Sequence, residues 1–142
     1  MPIRKAHGEW RGDLMKGSGS VGTESGVLKD VAYSFSSRFE SGTGTNPEEL
    51  IAAAHAACYS MALSGALSGA GFKVNSVRTE DLVHIDKQGA GFAITEIEVH
   101  TVASVEGIDE KTFQKLAEET KTGCPVSKAL AATKFVLTAK LA

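Results

Sequence analysis

The 142-residue chain has no excess of either charge: fifteen Lys and Arg against seventeen Asp and Glu leave a formal −2. With no basic surplus it has no electrostatic footprint for nucleic acid or an anionic membrane surface, and neither is expected as a partner. A signal peptide is also missing from the pattern, because MPIRKAHGEW starts basic with no apolar stretch behind it. The nearest thing to a membrane span, Leu50 to Leu67, carries His55, Ser60, Ser64 and Gly65 and follows two glutamates. It reads as a buried helix of a soluble protein, since a span needs ~20 strongly apolar residues. The expected localisation is therefore cytoplasmic. Repeats and low-complexity tracts are absent, and the length suits a single domain over residues 1–142 with its own core. Cysteine is used most sparingly: only Cys58 and Cys124, far apart in the chain. In a reducing cytosol so sparse a pair is more often catalytic than structural.

What is present reads as a β-rich layer followed by a long helix. GEWRGD, GSGSVGTES and VAYSFSSRFE alternate apolar and polar residues between Gly and Ser. In the third, a strand would put Tyr33, Phe35 and Phe39 on one face and Ser34, Ser36, Arg38 and Glu40 on the other. SGTGTNP is a loop ending in a helix start, with Asn46 as N-cap, Pro47 at N1 and Glu49 at N3. That helix runs to about Ala70, is stopped by Gly71, and would be ~36 Å long. Apolar nearly all round, it should be buried on more than one side. Its small residues (Ala52, Ala53, Ala56, Gly65, Ser68, Gly69) suit close approach by another element or a dimer seam.

Two strands, Val74–Asp86 and Phe92–Val105, follow around the turn KQGAG. IDEKTFQKLAEETKTG is an amphipathic helix with Phe113, Leu116, Ala117 and Thr120 inward and Gly123 at its end. Pro125 opens a short helix to about Ala132, and Lys134–Leu141 alternates as a final strand. The order predicts an α+β fold, with antiparallel β-sheets wrapped around a long buried central helix.

The cysteines sit in different settings. A thiol reacts as its thiolate and ionises near pH ~8.5 when free. Cys58 lies about three turns inside its helix, out of reach of the N-terminal dipole, so a cation or base must come from another segment. Cys124, directly before Pro125, takes an N-cap-like position where exposed N–H groups favour a thiolate. A packed core role for Cys58 is the competing reading. A zinc set of His55, Cys58, Cys124 and one of His7, His84 or His100 lacks paired short-spacing ligands, so no metal is expected. GSGSVGTESG lacks the lysine and helix of a phosphate loop and reads as a β-turn region. No cofactor is expected.

TNPEELIAAAHAAC, from Thr45 to Cys58, and GCPVSKAL, from Gly123 to Leu130, strongly resemble the OsmC/Ohr family of thiol-dependent peroxidases. GTESGVL, FSSRFE and GFAITEIEV match the OsmC branch, so the resemblance covers nearly the whole chain. It implies that Cys58 attacks the O–O bond of an organic hydroperoxide, forming a sulfenic acid and releasing an alcohol, and that hydrogen peroxide is reduced in the same way to water. Cys124 would then close a Cys58–Cys124 disulfide, which a small dithiol or a lipoyl-type protein reduces. The resemblance also implies an intertwined homodimer with both active sites at the interface.

An arginine and a glutamate complete the implied site, the arginine holding the thiolate and the glutamate orienting the arginine. The glutamate maps onto Glu48, which could equally serve as a helix N-terminal carboxylate worth ~0.3–1 kcal/mol. Glu49 is accounted for by capping. Arg38 is the expected arginine and Arg11 the fallback. Ten helical residues span ~15 Å, so Glu48 cannot touch Cys58 of its own straight helix. Either the first turns are broken, or a partner subunit supplies it. His55, one turn before Cys58, could act as its base, but the resemblance gives it no required role and it stays outside the catalytic set. Met61 and Phe39 would suit fatty or aryl hydroperoxides. The alternatives are a non-catalytic small-molecule binder or a thiol redox sensor using the same cysteine pair; a structural disulfide would suit an exported protein, and no export signal is seen.

Overall fold

The computed structural model describes every residue from Met1 to Ala142, and its contacts divide the chain into two units, Met1–Leu50 and Ile51–Ala142. In the first unit β1 (Ala6–Arg11), β2 (Ser18–Thr23) and β3 (Val31–Tyr33) form an antiparallel meander. The third strand is much shorter than the alternation of VAYSFSSRFE suggested. Ser34 accepts a hydrogen bond from the Ser37 N–H and the Ser37 hydroxyl accepts one from the Ser34 N–H, a complete capping box. This starts helix α1 (Phe35–Phe39), so Arg38 lies on a helical turn rather than on a strand. Phe35 and Phe39 share a face in either structure. Four residues apart, their rings stack 4.9 Å apart on the helix, and the local cap decides the outcome.

Gly44, at φ +115, then turns the chain so that the Thr45 N–H reaches Ala32 O at 2.9 Å. A side chain there would also press on Ala32 O at 2.7 Å. This delivers Asn46 as the N-cap of α2 (Pro47–Gly69), its Oδ1 accepting from the Glu49 N–H at 2.8 Å. The Glu49 carboxylate accepts from Thr45 Oγ1 instead of closing back on Asn46.

In the second unit α2 continues without a break and ends at Gly71, whose φ of +93 lets Phe72 N–H bond Leu67 O. Its buried face is a single stripe, His55, Tyr59, Leu63 and Leu67, all fully buried. The opposite row, Ala53, Ala57, Met61 and Gly65, is exposed, with Met61 81% open. The expectation of burial on several sides is corrected for the single chain: two apolar faces look alike in composition, and only one meets a sheet. By length and composition α2 could cross a membrane; its Tyr59, Leu63 and Leu67 pack into the hydrophobic core.

That sheet is β4 (Lys73–Gln88), β5 (Gly91–Glu106) and β6 (Lys134–Leu141), in that order. The β4–β5 pair is antiparallel, as expected, but β6 runs parallel to β5, from Glu96 opposite Lys134 to Ala103 opposite Leu141. The sheet is therefore mixed, and the expectation of antiparallel pairing throughout is corrected. The reason is the connection: α3 (Glu110–Gly123) and α4 (Pro125–Ala129) form a crossover, which a parallel neighbour needs and a hairpin cannot supply. Tyr59, Leu63 and Leu67 of α2 pack with Ile97, Val99 and Ala103 of β5 and Phe113 and Ala117 of α3. Each large side chain in such a core stabilises by ~1.5–3 kcal/mol.

Candidate active site

Cys124 forms the joint between α3 and α4. Its N–H closes α3 on Thr120 O at 3.2 Å, and its sulfur caps α4 by accepting the Ser127 N–H at 3.3 Å. Pro125 has no N–H to give, so the first two free donors of α4 belong to Val126 and Ser127. Ser127 takes Cys124, and the Val126 backbone favours the Cys58 thiolate. One orphan helix donor thus holds the Cys124 sulfur. The cysteines, far apart in sequence, lie near one another as free thiols.

Their environments differ. Cys124 is buried and Cys58 half-buried. Burial is the main force pushing the Cys58 thiol up, Cys124 adds to it, and the Val126 N–H opposes it. Within its own unit Cys58 therefore has no cation to activate it.

His55 does not serve Cys58. Its Nδ1 is bonded to Asp81 Oδ2 and its Nε2 to Ser127 Oγ at 2.8 Å, with the His55 and Asp81 side chains shut off from solvent. With both ring nitrogens engaged, His55 cannot join a zinc set. Tyr59 beside it donates to Ala117 O at 2.8 Å, and burial, then Glu118, push its pKa up. Asp81 and Ser127 were not singled out from the sequence. Asp81 did leave a signal, as a carboxylate in the inward row Val77, Thr79, Asp81, Val83, Ile85 of β4.

In the first unit Arg38 Nε and Nη2 donate to the Glu48 carboxylate at 3.1 and 2.9 Å. Glu48 is buried, while the Arg38 side chain is 38% exposed. The pair is held by Ser37 Oγ donating to Thr45 O at 2.8 Å and Asn46 Nδ2 donating to Ser37 O at 3.0 Å. Arg38 lies over the Phe39 ring at 5.1 Å. A cavity of about 240 Å³ opens beside it, lined by Trp10, Leu14, Tyr33, Phe35, Arg38 and Phe39. Arg11, the fallback, is instead an exposed partner of Glu9 at 2.8 Å. Elsewhere His84, Glu96 and Glu98 bring donor atoms within 4.8 Å on the open face of β4–β5. They satisfy one another: Glu98 holds His84 and His100, and Glu96 holds Lys134.

Residues 40–138 match the family described as OsmC-like protein. The chain is 52% identical over 129 residues to Peroxiredoxin OsmC of Escherichia coli (strain K12), covering 91% of this chain and 90% of that protein. It is 30% identical over 113 residues to the Organic hydroperoxide resistance protein OhrB of Bacillus subtilis (strain 168), covering 79% and 81%. The crystal structure of Bacillus subtilis OhrB matches with a TM-score of 0.67 at 27% identity, over 97% of this chain and 98% of that one.

Proposed function

The chain belongs to the OsmC family, and from that premise we propose a working scheme for its site. The protein is a cysteine-based peroxidase that reduces organic hydroperoxides to alcohols. One observation carries the scheme: two free thiols near one another at the start of α4, where the Ser127 N–H holds Cys124 and the Val126 backbone favours the Cys58 thiolate.

The Cys58 thiolate attacks the terminal peroxide oxygen, the O–O bond breaks, and the alkoxide leaves as alcohol after taking a proton. Cys58 is then a sulfenic acid. Cys124 attacks it, closing the disulfide and releasing water. A dithiol, either small or carried on a lipoyl-type protein, exchanges with that disulfide and restores both thiols.

Cys58 needs a cation, and Arg38, oriented by Glu48, is the proposed source. That α2 runs as one helix from Pro47 to Gly69 favours a partner subunit over a break in its first turns. The pair is therefore assigned to the partner subunit of a homodimer, with the exposed row Ala53, Ala57, Met61 and Gly65 as the seam. The guanidinium would favour the thiolate and polarise the peroxide, while the aromatic cavity beside it takes the organic group. Met61, on the open row of α2, belongs to the seam in this scheme rather than to the substrate pocket. The chain acts as a single domain of this family, since the family match and α2 both cross the boundary at Leu50. Its place is the cytoplasm, where two thiols stay reduced between turnovers.

The test is intact mass spectrometry, under non-reducing conditions, of thiol-blocked protein after one equivalent of an aryl hydroperoxide. Wild type should lose two hydrogens and both blocking groups. Cys124→Ser should accumulate a sulfenic acid at Cys58, and Cys58→Ser should stay unoxidised. A serine at 124 keeps an N-cap oxygen for α4, so its phenotype reports chemistry rather than folding. Two thiols still free after minutes of exposure would leave a binding protein in place of a peroxidase.

A further inference from the structure

Asp81, His55, Ser127 and Cys124 form one hydrogen-bonded line drawn from β4, α2, α4 and the α3–α4 joint. His55 Nδ1 meets Asp81 Oδ2, His55 Nε2 meets Ser127 Oγ at 2.8 Å, and Ser127 Oγ meets Cys124 Sγ at 3.1 Å. The line is sealed: the His55 and Asp81 side chains are 0% exposed, Ser127 3% and Cys124 1%. Asp81 Oδ1 has no partner. A buried carboxylate with an unpaired oxygen costs stability, and buried ion pairs seldom add to it. Stability alone does not account for this arrangement.

The same three side chains in an open cleft would suggest a hydrolase, with Ser127 as nucleophile. Here Ser127 is buried, its N–H is already given to Cys124, and the next atom along the line is sulfur. We propose that the line is a proton relay for Cys124, with Ser127 as the catalytic group touching the sulfur and His55 and Asp81 as positioning residues behind it. The relay rests on the peroxidase scheme above, in which Cys124 must lose its proton as it attacks the Cys58 sulfenic acid.

The hydrogen positions follow from donor and acceptor capacity. Ionised Asp81 only accepts, so the His55 proton lies on Nδ1 and Nε2 accepts the Ser127 O–H. The Ser127 oxygen is then left to accept from the Cys124 S–H. During attack the S–S bond forms and the S–O bond breaks, releasing hydroxide, which takes a proton from solvent. The Cys124 proton moves to Ser127 as the Ser127 proton moves to Nε2, and Asp81 faces the resulting imidazolium. When the dithiol opens the disulfide, the stored proton returns through Ser127 to the departing Cys124 sulfur. Of the two dithiol protons, one goes to Cys58 and one to solvent, which closes the balance.

Other titratable groups face this line. Cys58 and Tyr59 come from α2, Glu118 of α3 acts on Tyr59, and Lys121 and Lys128 line the cavity beside Ser127. The experiment must therefore separate the two oxidation steps within each protein. Reduced full-length wild type, Ser127→Ala, Ser127→Thr and Asp81→Asn would be mixed with one equivalent of cumene hydroperoxide. Samples would be acid-quenched at intervals and analysed by mass for sulfenic acid and disulfide, with thermal melts alongside.

In Ser127→Ala the disulfide-forming step should slow on the order of 10²-fold relative to the sulfenic-acid-forming step of the same protein. Its rate should climb about tenfold per pH unit below the thiol pKa, as for an unassisted thiolate, where wild type is flatter. Ser127→Thr should restore the wild-type ratio, and Asp81→Asn should shift the pH profile. An unchanged ratio and profile in folded Ser127→Ala would overturn the relay while leaving the peroxidase intact. A wild type that forms no sulfenic acid would remove the peroxidase scheme and the relay with it.

Discussion

Cys58 is pushed towards its neutral thiol by burial, and Cys124 adds to that push. A raised pKa means less thiolate at neutral pH, so reactivity should rise with pH until a cation intervenes. If Arg38 of a partner subunit is that cation, Arg38→Met should move the midpoint of the Cys58 alkylation profile upward. It should also lower kcat/KM for cumene hydroperoxide by on the order of 10²–10³. Glu48→Gln should lose less, because the guanidinium stays charged but is less well held. Its stability cost is expected near ~1 kcal/mol, discounted because Arg38 is 38% exposed and can rehydrate. Identical alkylation profiles for wild type and Arg38→Met would end the claim for Arg38. Iodoacetamide kinetics across pH, with urea melts, measure all of this.

The two faces of α2 should respond differently to substitution. Leu63 is fully buried against β5 and α3, and Leu63→Ala should cost ~2–5 kcal/mol by denaturant melt. Met61, two residues earlier, is 81% exposed in the single chain, so Met61→Glu should leave the helical signal and the monomer's stability almost unchanged. Where this face is the seam, the same change buries a charge at an interface. Light scattering should then report monomers where wild type gives dimers. A Met61→Glu protein that stays dimeric would place the seam elsewhere.

For the whole molecule, the proposed scheme, with a site completed across subunits, would make activity depend on assembly. Peroxidase turnover per chain should fall on dilution through the dimer dissociation constant, and the alkylation midpoint of Cys58 should rise over the same concentration range. Activity that stays constant per chain into the monomeric regime would mean each chain carries a complete site. The long helix, its Asn46 cap, the β4–β5 hairpin and the last strand were legible in the sequence, because their signals are local. So were the cysteine motifs. The Ser34 cap that turns FSSRF helical competes with an equally good strand alternation, and was not. The parallel β6 was also hidden, since the direction of a strand depends on its connection rather than on its own residues.

The sequence by itself determined most of the elements, and its family resemblance named the proposed site residues: Cys58 deep in α2, Cys124 before Pro125, and Arg38 and Glu48. The elements follow from hydrophobic periodicity, capping and residue type, which act over a few positions. Only the tertiary structure decided what those residues touch. It brought Cys58 to Cys124, gave Arg38 to Glu48, and turned His55 away from the neighbouring Cys58 towards Asp81 and Ser127. A side chain one helical turn from a cysteine faces wherever the core closes on it, and that closure is set by contacts between segments distant in the chain.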